Sequence, residues 1–238
     1  DRLDTVGIFT FEVDITGTIS ETGTSISSMM PYINKWPHIK WMLTVMNHGA
    51  ASIFTALRNN TGGEKDKFLT ELVRIMRKYP WCAGVDIDLE RGGEYENRAA
   101  ANALFRDIYN TVKNYDTAKL VNICLPGMTG VNGSVGGENW CVYADLNAYC
   151  DTASIMSYGM AWAGSAPGPV SPRSWLEGIY DYASKAMRPE KIFMGLPGYG
   201  WNWQIYDTPE NLGKSYRGTS NTYYAAKLWM AGGYNFTN

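Results

Sequence analysis

Short apolar runs alternate along the chain with stretches of helical periodicity. Thr5 to Val13, Ile39 to Met46, Leu120 to Leu125, Thr152 to Tyr158 and Ile192 to Leu196 are dense in apolar and β-favouring residues and predict strands. Asp14 to Gly17 predicts a turn after the first of them. Ser27 to Lys35 predicts a short helix ahead of Trp36-Pro37. Glu64 to Tyr79 predicts an amphipathic helix with Phe68, Leu69, Leu72, Val73 and Met76 along one side. A third helix follows the Gly-bearing loop Arg91 to Gly93, where Leu104, Ile108 and Val112 recur at helical spacing. Ser171-Pro172 predicts a fourth, capped by the serine and carrying Trp175, Leu176, Ile179 and Ala183 as its stripe.

One further strand differs from the others. Trp81 to Glu90 reads W-C-A-G-V-D-I-D-L-E, so Asp86, Asp88 and Glu90 alternate with Val85, Ile87 and Leu89. A period of two puts the three carboxyls on one face and the aliphatic side chains on the other. Crowding three acids forces at least one towards its neutral form unless hydrogen bonds or water hold the others. A solvated strand face or a divalent-cation site would use the same alternation, so the pattern alone leaves the chemistry open.

Strand and helix alternate, and the strands read as nearly continuous apolar runs, which predicts an α/β fold with a parallel sheet covered by helices, as in a (β/α)8 TIM barrel. In such a barrel the chemistry sits at the C-terminal ends of the strands. Those ends carry Asn47, Glu90, Pro126-Gly127-Met128, Tyr158 and Tyr199 to Trp201.

The 238 residues, 45% hydrophobic, suit one domain spanning 1–238. The net charge of -2 and the lack of a basic run argue against a nucleic-acid partner. No apolar stretch is long enough to span a bilayer, and no signal-like segment opens the chain. The chain starts without Met, which suggests a mature or excised piece of a longer protein. Nine Trp, sixteen Tyr and seven Phe suit sugar stacking as well as core packing. Cys141 and Cys150 are placed to close a short disulfide or to stay reduced, while Cys82 and Cys124 read as small buried hydrophobes. His38 and His48 lie too close together in sequence to support a His-based metal or nucleophile site, and His48 reads as a loop residue.

The stretch G-V-D-I-D-L-E resembles the acid motif D-G-x-D-x-D-x-E of glycoside hydrolase family 18, the chitinases and related N-acetylglucosaminidases. Phe9 to Phe11 with the following turn, Met156-Ser157-Tyr158, and Gly195-Leu196-Pro197-Gly198-Tyr199-Gly200 resemble further segments of that family, in the same order. Trp162 with Gly168-Pro169-Val170 and the Gly-Leu-Pro-x-Tyr-Gly turn look most like its peptidoglycan-acting, spore-cortex-lytic branch, found in bacterial or phage proteins. The resemblance covers residues 5 to 205 or so.

It implies a retaining glycosidase acting on β-linked N-acetylglucosamine glycans, extracellular or associated with a cell wall or a phage, with no cofactor and no metal. Glu90 would be the general acid, and Asp88 would orient the substrate's acetamido group, which itself attacks the anomeric carbon. Asp86 would share a proton with Asp88, and Tyr158 would hydrogen-bond the acetamide. Met156, Trp162, Tyr199, Trp201 and Asn47 would contact the sugar. The chain departs from the family pattern at Ala83, where the motif has its first Asp, at Gly159, where many members have an Asp, and at Gly198, often aromatic.

Measured against the family, the first and eighth barrel strands are missing, so flanking sequence or another segment is expected to close the sheet. A carbohydrate-binding module with a weakened site, or a part of a larger cell-wall or virion assembly, is the alternative reading.

Overall fold

The computed structural model describes residues 3–93, 97–134, 138–203, 218–222 and 225–228. Six strands lie parallel in chain order: β1 (Thr5–Val13), β3 (Lys40–Met46), β4 (Gly84–Asp88), β5 (Leu120–Pro126), β6 (Thr152–Met156) and β7 (Ile192–Met194). A short strand, β2 (Ile19–Glu21), adds antiparallel to the C-terminal half of β1 and makes a seven-stranded sheet. All six runs expected to be strands form strands, with β4 confined to the middle of the acid stretch. No pairing between β1 and β7 closes the sheet among the described residues.

Alternate apolar residues of β3 to β6 face the helices. Leu43, Val45, Val85, Ile87, Val121, Ile123, Leu125, Ala153 and Ile155 are fully buried there. They meet Phe54 and Leu57 of α2 (Ala51–Asn59), Phe68, Leu72, Ile75 and Met76 of α3 (Glu64–Lys78), and Leu104, Phe105, Ile108 and Val112 of α4 (Arg98–Tyr115) within one core. The remaining helices are α1 (Ile26–Lys35), α5 (Tyr143–Leu146) and α6 (Arg173–Ala186). Among the described residues no helix is long and apolar enough to cross a membrane.

The opposite face is not apolar, contrary to the expectation of continuous hydrophobic strands. Thr44, Asp86, Asn122 and Thr152 sit side by side in register across β3 to β6 and form a polar layer inside the curved sheet. Period-two alternation turns the acids of β4 into this layer and its aliphatics towards the helices.

Two local expectations are corrected. Cys141 and Cys150 are not bonded: all four cysteines are free and buried, and the Cys141 thiol donates to Met128 Sδ. Ser171 does not cap α6; its hydroxyl donates to the Ser157 carbonyl instead, and the residue at the cap is Pro172. Beyond the main sheet, β8 (Tyr199–Trp203) pairs antiparallel with β9 (Gly218–Thr222) in a separate two-stranded sheet, and β9 carries no Trp.

Gly84, at the head of β4, is a position where the fold tolerates no side chain. A Cβ there would lie 1.9 Å from the Leu120 carbonyl oxygen and 2.5 Å from the Leu120 nitrogen, both backbone atoms of the neighbouring strand. Gly84→Ala must separate β4 from β5, and we expect a loss of about 3 kcal/mol in denaturant titrations. An unchanged midpoint would show that the two strands part freely there.

Candidate active site

The polar layer leads upward to the acids. Asp86 is 8% exposed and accepts hydrogen bonds from Thr44 Oγ1 (2.8 Å) and Asn122 Nδ2 (2.6 Å), with the Cys124 thiol at 3.5 Å. Asn122 is held in turn by Thr152 Oγ1, which donates to its Oδ1 at 2.8 Å. From β1, Gly7 leaves room for this cluster: a Cβ there would stand 2.8 Å from Thr44 Oγ1 and 2.9 Å from Asp86 Oδ2. Asp86 is therefore the anchored member of the acid set.

Asp88, one pleat further along, is 9% exposed, and its Oδ1 is buried with no hydrogen-bond partner among the described residues. Burial, followed by the negative charges of Glu90 and Asp86, pushes its carboxyl up to about 7. The acid forced towards its neutral form is thus Asp88. Cys124, expected to be a plain buried hydrophobe, is a weak donor beneath both aspartates.

Glu90 lies just past the end of β4, on the loop leading to α4, and is partly exposed. Its backbone is clasped by Asn47 at the end of β3. The Glu90 N–H donates to Asn47 Oδ1 (3.0 Å), and Asn47 Nδ2 donates to the Glu90 carbonyl (2.9 Å). Asn47 is only 2% exposed and its amide also bonds Ala50 O and the Gly49 N–H. Expected as a sugar contact, Asn47 is instead placed to fix the acid's backbone. Further along the same loop, Arg58 Nη1 donates to the Gly92 carbonyl at 2.8 Å.

Tyr158, two residues beyond β6, joins the acids. Burial raises its phenol well above the ordinary tyrosine range, with Asp88 and Glu90 adding to the effect. Its ring meets that of Tyr199 edge-on at 6.4 Å, and Tyr199 meets Trp201 the same way at 6.1 Å, forming an aromatic wall along one side. Met156 ends β6, half-buried, opposite Pro126.

Trp162 stands apart from the acid group. It is 57% exposed, and its ring lies over Gly164 of its own turn. The loop carrying it is pinned at its base, because the Val170 carbonyl accepts both the Gly159 and the Met160 N–H at 3.0 Å. Gly159 has φ +94° and faces open space, where a Cβ would meet nothing within 4 Å. His48, expected to be an ordinary loop residue, has its Nε2 2.5 Å from Glu12 Oε1 at the rim.

The sequence reading missed Thr44 and Asn122. Both carried a signal, since each is polar within an apolar strand and falls on the inward phase.

The arrangement offers an anchored carboxyl, a second carboxyl protonated near neutral pH, a third at the open end, and a phenol facing them. That set can move a proton onto a leaving oxygen while hydrogen-bonding a neighbouring amide.

Comparison with known proteins agrees with this geometry. The model of the family described as glycosyl hydrolases family 18 matches residues 7–231. A cortical fragment-lytic enzyme of Bacillus anthracis is 25% identical over 199 residues, covering 83% of this chain and 45% of the relative. The chain thus spans less than half the length of that curated relative. The structure of the Bacillus cereus spore cortex-lytic enzyme SleL superposes with a TM-score of 0.83 at 22% identity, covering 99% of this chain and 53% of that one. A chitinase from Chromobacterium violaceum gives a TM-score of 0.82 at 18% identity, covering 96% and 69%. These likenesses show the fold to be that of a (β/α)8 barrel. With the family model spanning nearly all of it, the chain belongs to glycosyl hydrolases family 18.

Proposed function

We propose that this chain hydrolyses β-linked N-acetylglucosamine glycans of a cell wall, peptidoglycan or a chitin-like polymer, with retention of configuration and with the substrate's own acetamide as nucleophile. The observation that carries this reading is Asp88. A buried carboxyl pushed up to about 7, with an oxygen that has no hydrogen-bond partner among the described residues, is suited to bonding an amide N–H that substrate supplies.

In the first step the acetamide carbonyl oxygen bonds to the anomeric carbon as the glycosidic C–O bond breaks, and Glu90 gives its proton to the departing oxygen. Asp88 receives the amide N–H and stabilises the positive charge of the cyclic oxazolinium ion, while Tyr158 hydroxyl donates to the acetamide oxygen. Asp86, fixed by Thr44 and Asn122, steadies Asp88 from below. In the second step water attacks the anomeric carbon, the ring opens, and Glu90 takes back a proton. Two displacements at one carbon leave its configuration unchanged. Met156, Tyr199 and Trp201 line the sugar site in this reading, and Trp162 contacts a longer chain.

The test is the anomeric form of the first product. Proton NMR during hydrolysis of an N-acetylglucosamine oligomer, and of cortex peptidoglycan in parallel, should show the β-anomer appearing first and the α-anomer only by mutarotation. Initial α-anomer would sink the mechanism. Binding of both glycans without any cleavage would make the chain a carbohydrate-binding module.

A further inference from the structure

We propose that Arg91 is a specificity residue that receives a carboxylate carried by the sugar beside the scissile bond, so that the site prefers an acidic glycan such as peptidoglycan to a neutral, chitin-like one. The proposal rests on the hydrolase reading above and narrows its substrate class.

Arg91 follows Glu90 directly. Its backbone has φ +59°, in the left-handed region, where a residue with a Cβ is strained and a glycine is not. Gly92 and Gly93 come next, so the turn is made on an arginine with glycines at hand. The side chain crosses towards the end of β3. A Cβ on Gly49 would lie 3.1 Å from Arg91 Nε and 3.5 Å from its Cδ, so the bare glycine leaves room for the stem. Arg91 thus bridges the ends of β3 and β4, on the rim where the strands of a barrel present their chemistry. The loops beneath it are fixed, because Asn47 clasps the Glu90 backbone and Arg58 holds the Gly92 carbonyl.

Arg91 is exposed and, among the described residues, makes no hydrogen bond, ion pair or ring contact. The other described arginines are all engaged: Arg58 and Arg98 on backbone carbonyls, Arg74, Arg106, Arg173 and Arg188 on carboxylates, and Arg77 over the Tyr115 ring. On the same rim His48 is taken by Glu12. A planar guanidinium matches a carboxylate through two parallel hydrogen bonds. Inside the rim stand Asp86, Asp88 and Glu90, so a negatively charged sugar enters against their field unless a cation meets it, whereas a neutral sugar needs none. The muramic acid units of peptidoglycan bring such a carboxylate, on the lactyl ether or on the peptide attached to it.

The test compares three oligosaccharides of one length: a neutral β-linked N-acetylglucosamine oligomer, a peptidoglycan strand stripped of its stem peptides, and the same strand with its stems. Stripping leaves the lactyl carboxylate free; with the stem attached that group is an amide, and the acids are those of the peptide. Arg91→Gln should lower kcat/KM on an acidic strand, relative to the neutral oligomer, by about tenfold, the loss of one charge-assisted pair. A relative loss confined to the stripped strand assigns the lactyl group, and one confined to the stemmed strand assigns the peptide. An equal change on all three overturns the proposal, because Arg91 then acts on the acids and not on the substrate. Arg91→Gly removes the guanidinium while suiting the left-handed turn. It should be at least as heat-stable as wild type and show the same change in ratio, which decides the matter even where the glutamine variant misfolds. If the wild type cleaves none of the three, the hydrolase reading fails and binding measured by calorimetry decides Arg91. A preference for acidic strands that both variants lose supports the proposal; equal wild-type affinity for acidic and neutral strands overturns it.

Discussion

Glu90→Gln lowers kcat/KM on a β-linked N-acetylglucosamine oligomer by roughly 10²- to 10⁴-fold, the usual range for removing a general acid. This is the largest effect on turnover expected of any single exchange in the chain, about 3 to 5 kcal/mol of transition-state stabilisation. The substitution is clean because Asn47 grips the Glu90 backbone and not its side chain, so the loop keeps its course when the carboxyl becomes an amide. Affinity for uncleaved oligomer, measured by calorimetry, should stay within a few-fold of wild type. Full activity in the variant would remove Glu90 from the mechanism.

Asp88→Asn should move stability and activity in opposite directions. With its folded value raised to about 7 against an unfolded value near 3.9, Asp88 binds more protons in the folded state than in the unfolded one between those limits. Its contribution to stability is therefore fully present below pH ~4 and is lost as pH rises through ~7. An asparagine carries no charge to bury. The variant should be more stable than wild type at pH 8, on the order of 2 to 4 kcal/mol, and the two should converge in acid. Glycan hydrolysis should fall by ~10²-fold or more, since an amide cannot take up negative charge against the developing cation. Thermal unfolding from pH 4 to 9 gives the answer; parallel curves for the two proteins would mean that Asp88 is not a strained carboxyl.

The parallel strands were legible because each is a compact apolar run, and the acid strand because period two is visible in V-D-I-D-L-E. What escaped lay where linear patterns carry no information. Helix α2 has only Phe54 and Leu57 as its buried pair, too few to mark a stripe. Strand β2 spans three residues, and β9 reads G-T-S-N-T, held to β8 by backbone pairing without an apolar residue. The same limit applied at the site. Asp86, Asp88, Glu90 and Tyr158 were found as a motif, but the polar layer that holds Asp86 exists only through cross-strand register. Asn47 illustrates the difference: its position at a strand end was right, and its direction, turned inward onto the Glu90 backbone, is a matter of three dimensions.

The double grip of the Val170 carbonyl on Gly159 and Met160 separates the loop between them from the sheet. The loop from Ala161 to Pro169 is held at its base by that oxygen and again at Ala163, whose carbonyl accepts the Gly218 N–H of β9 at 2.6 Å, while Tyr158 is braced independently by the close approach of Gly195 beneath its ring. The segment is thus a cassette. Beyond Ala163 its length and composition can change without displacing the phenol beside the acids, which makes residues 164–169 the natural place to exchange sequence when retargeting this scaffold to a different glycan.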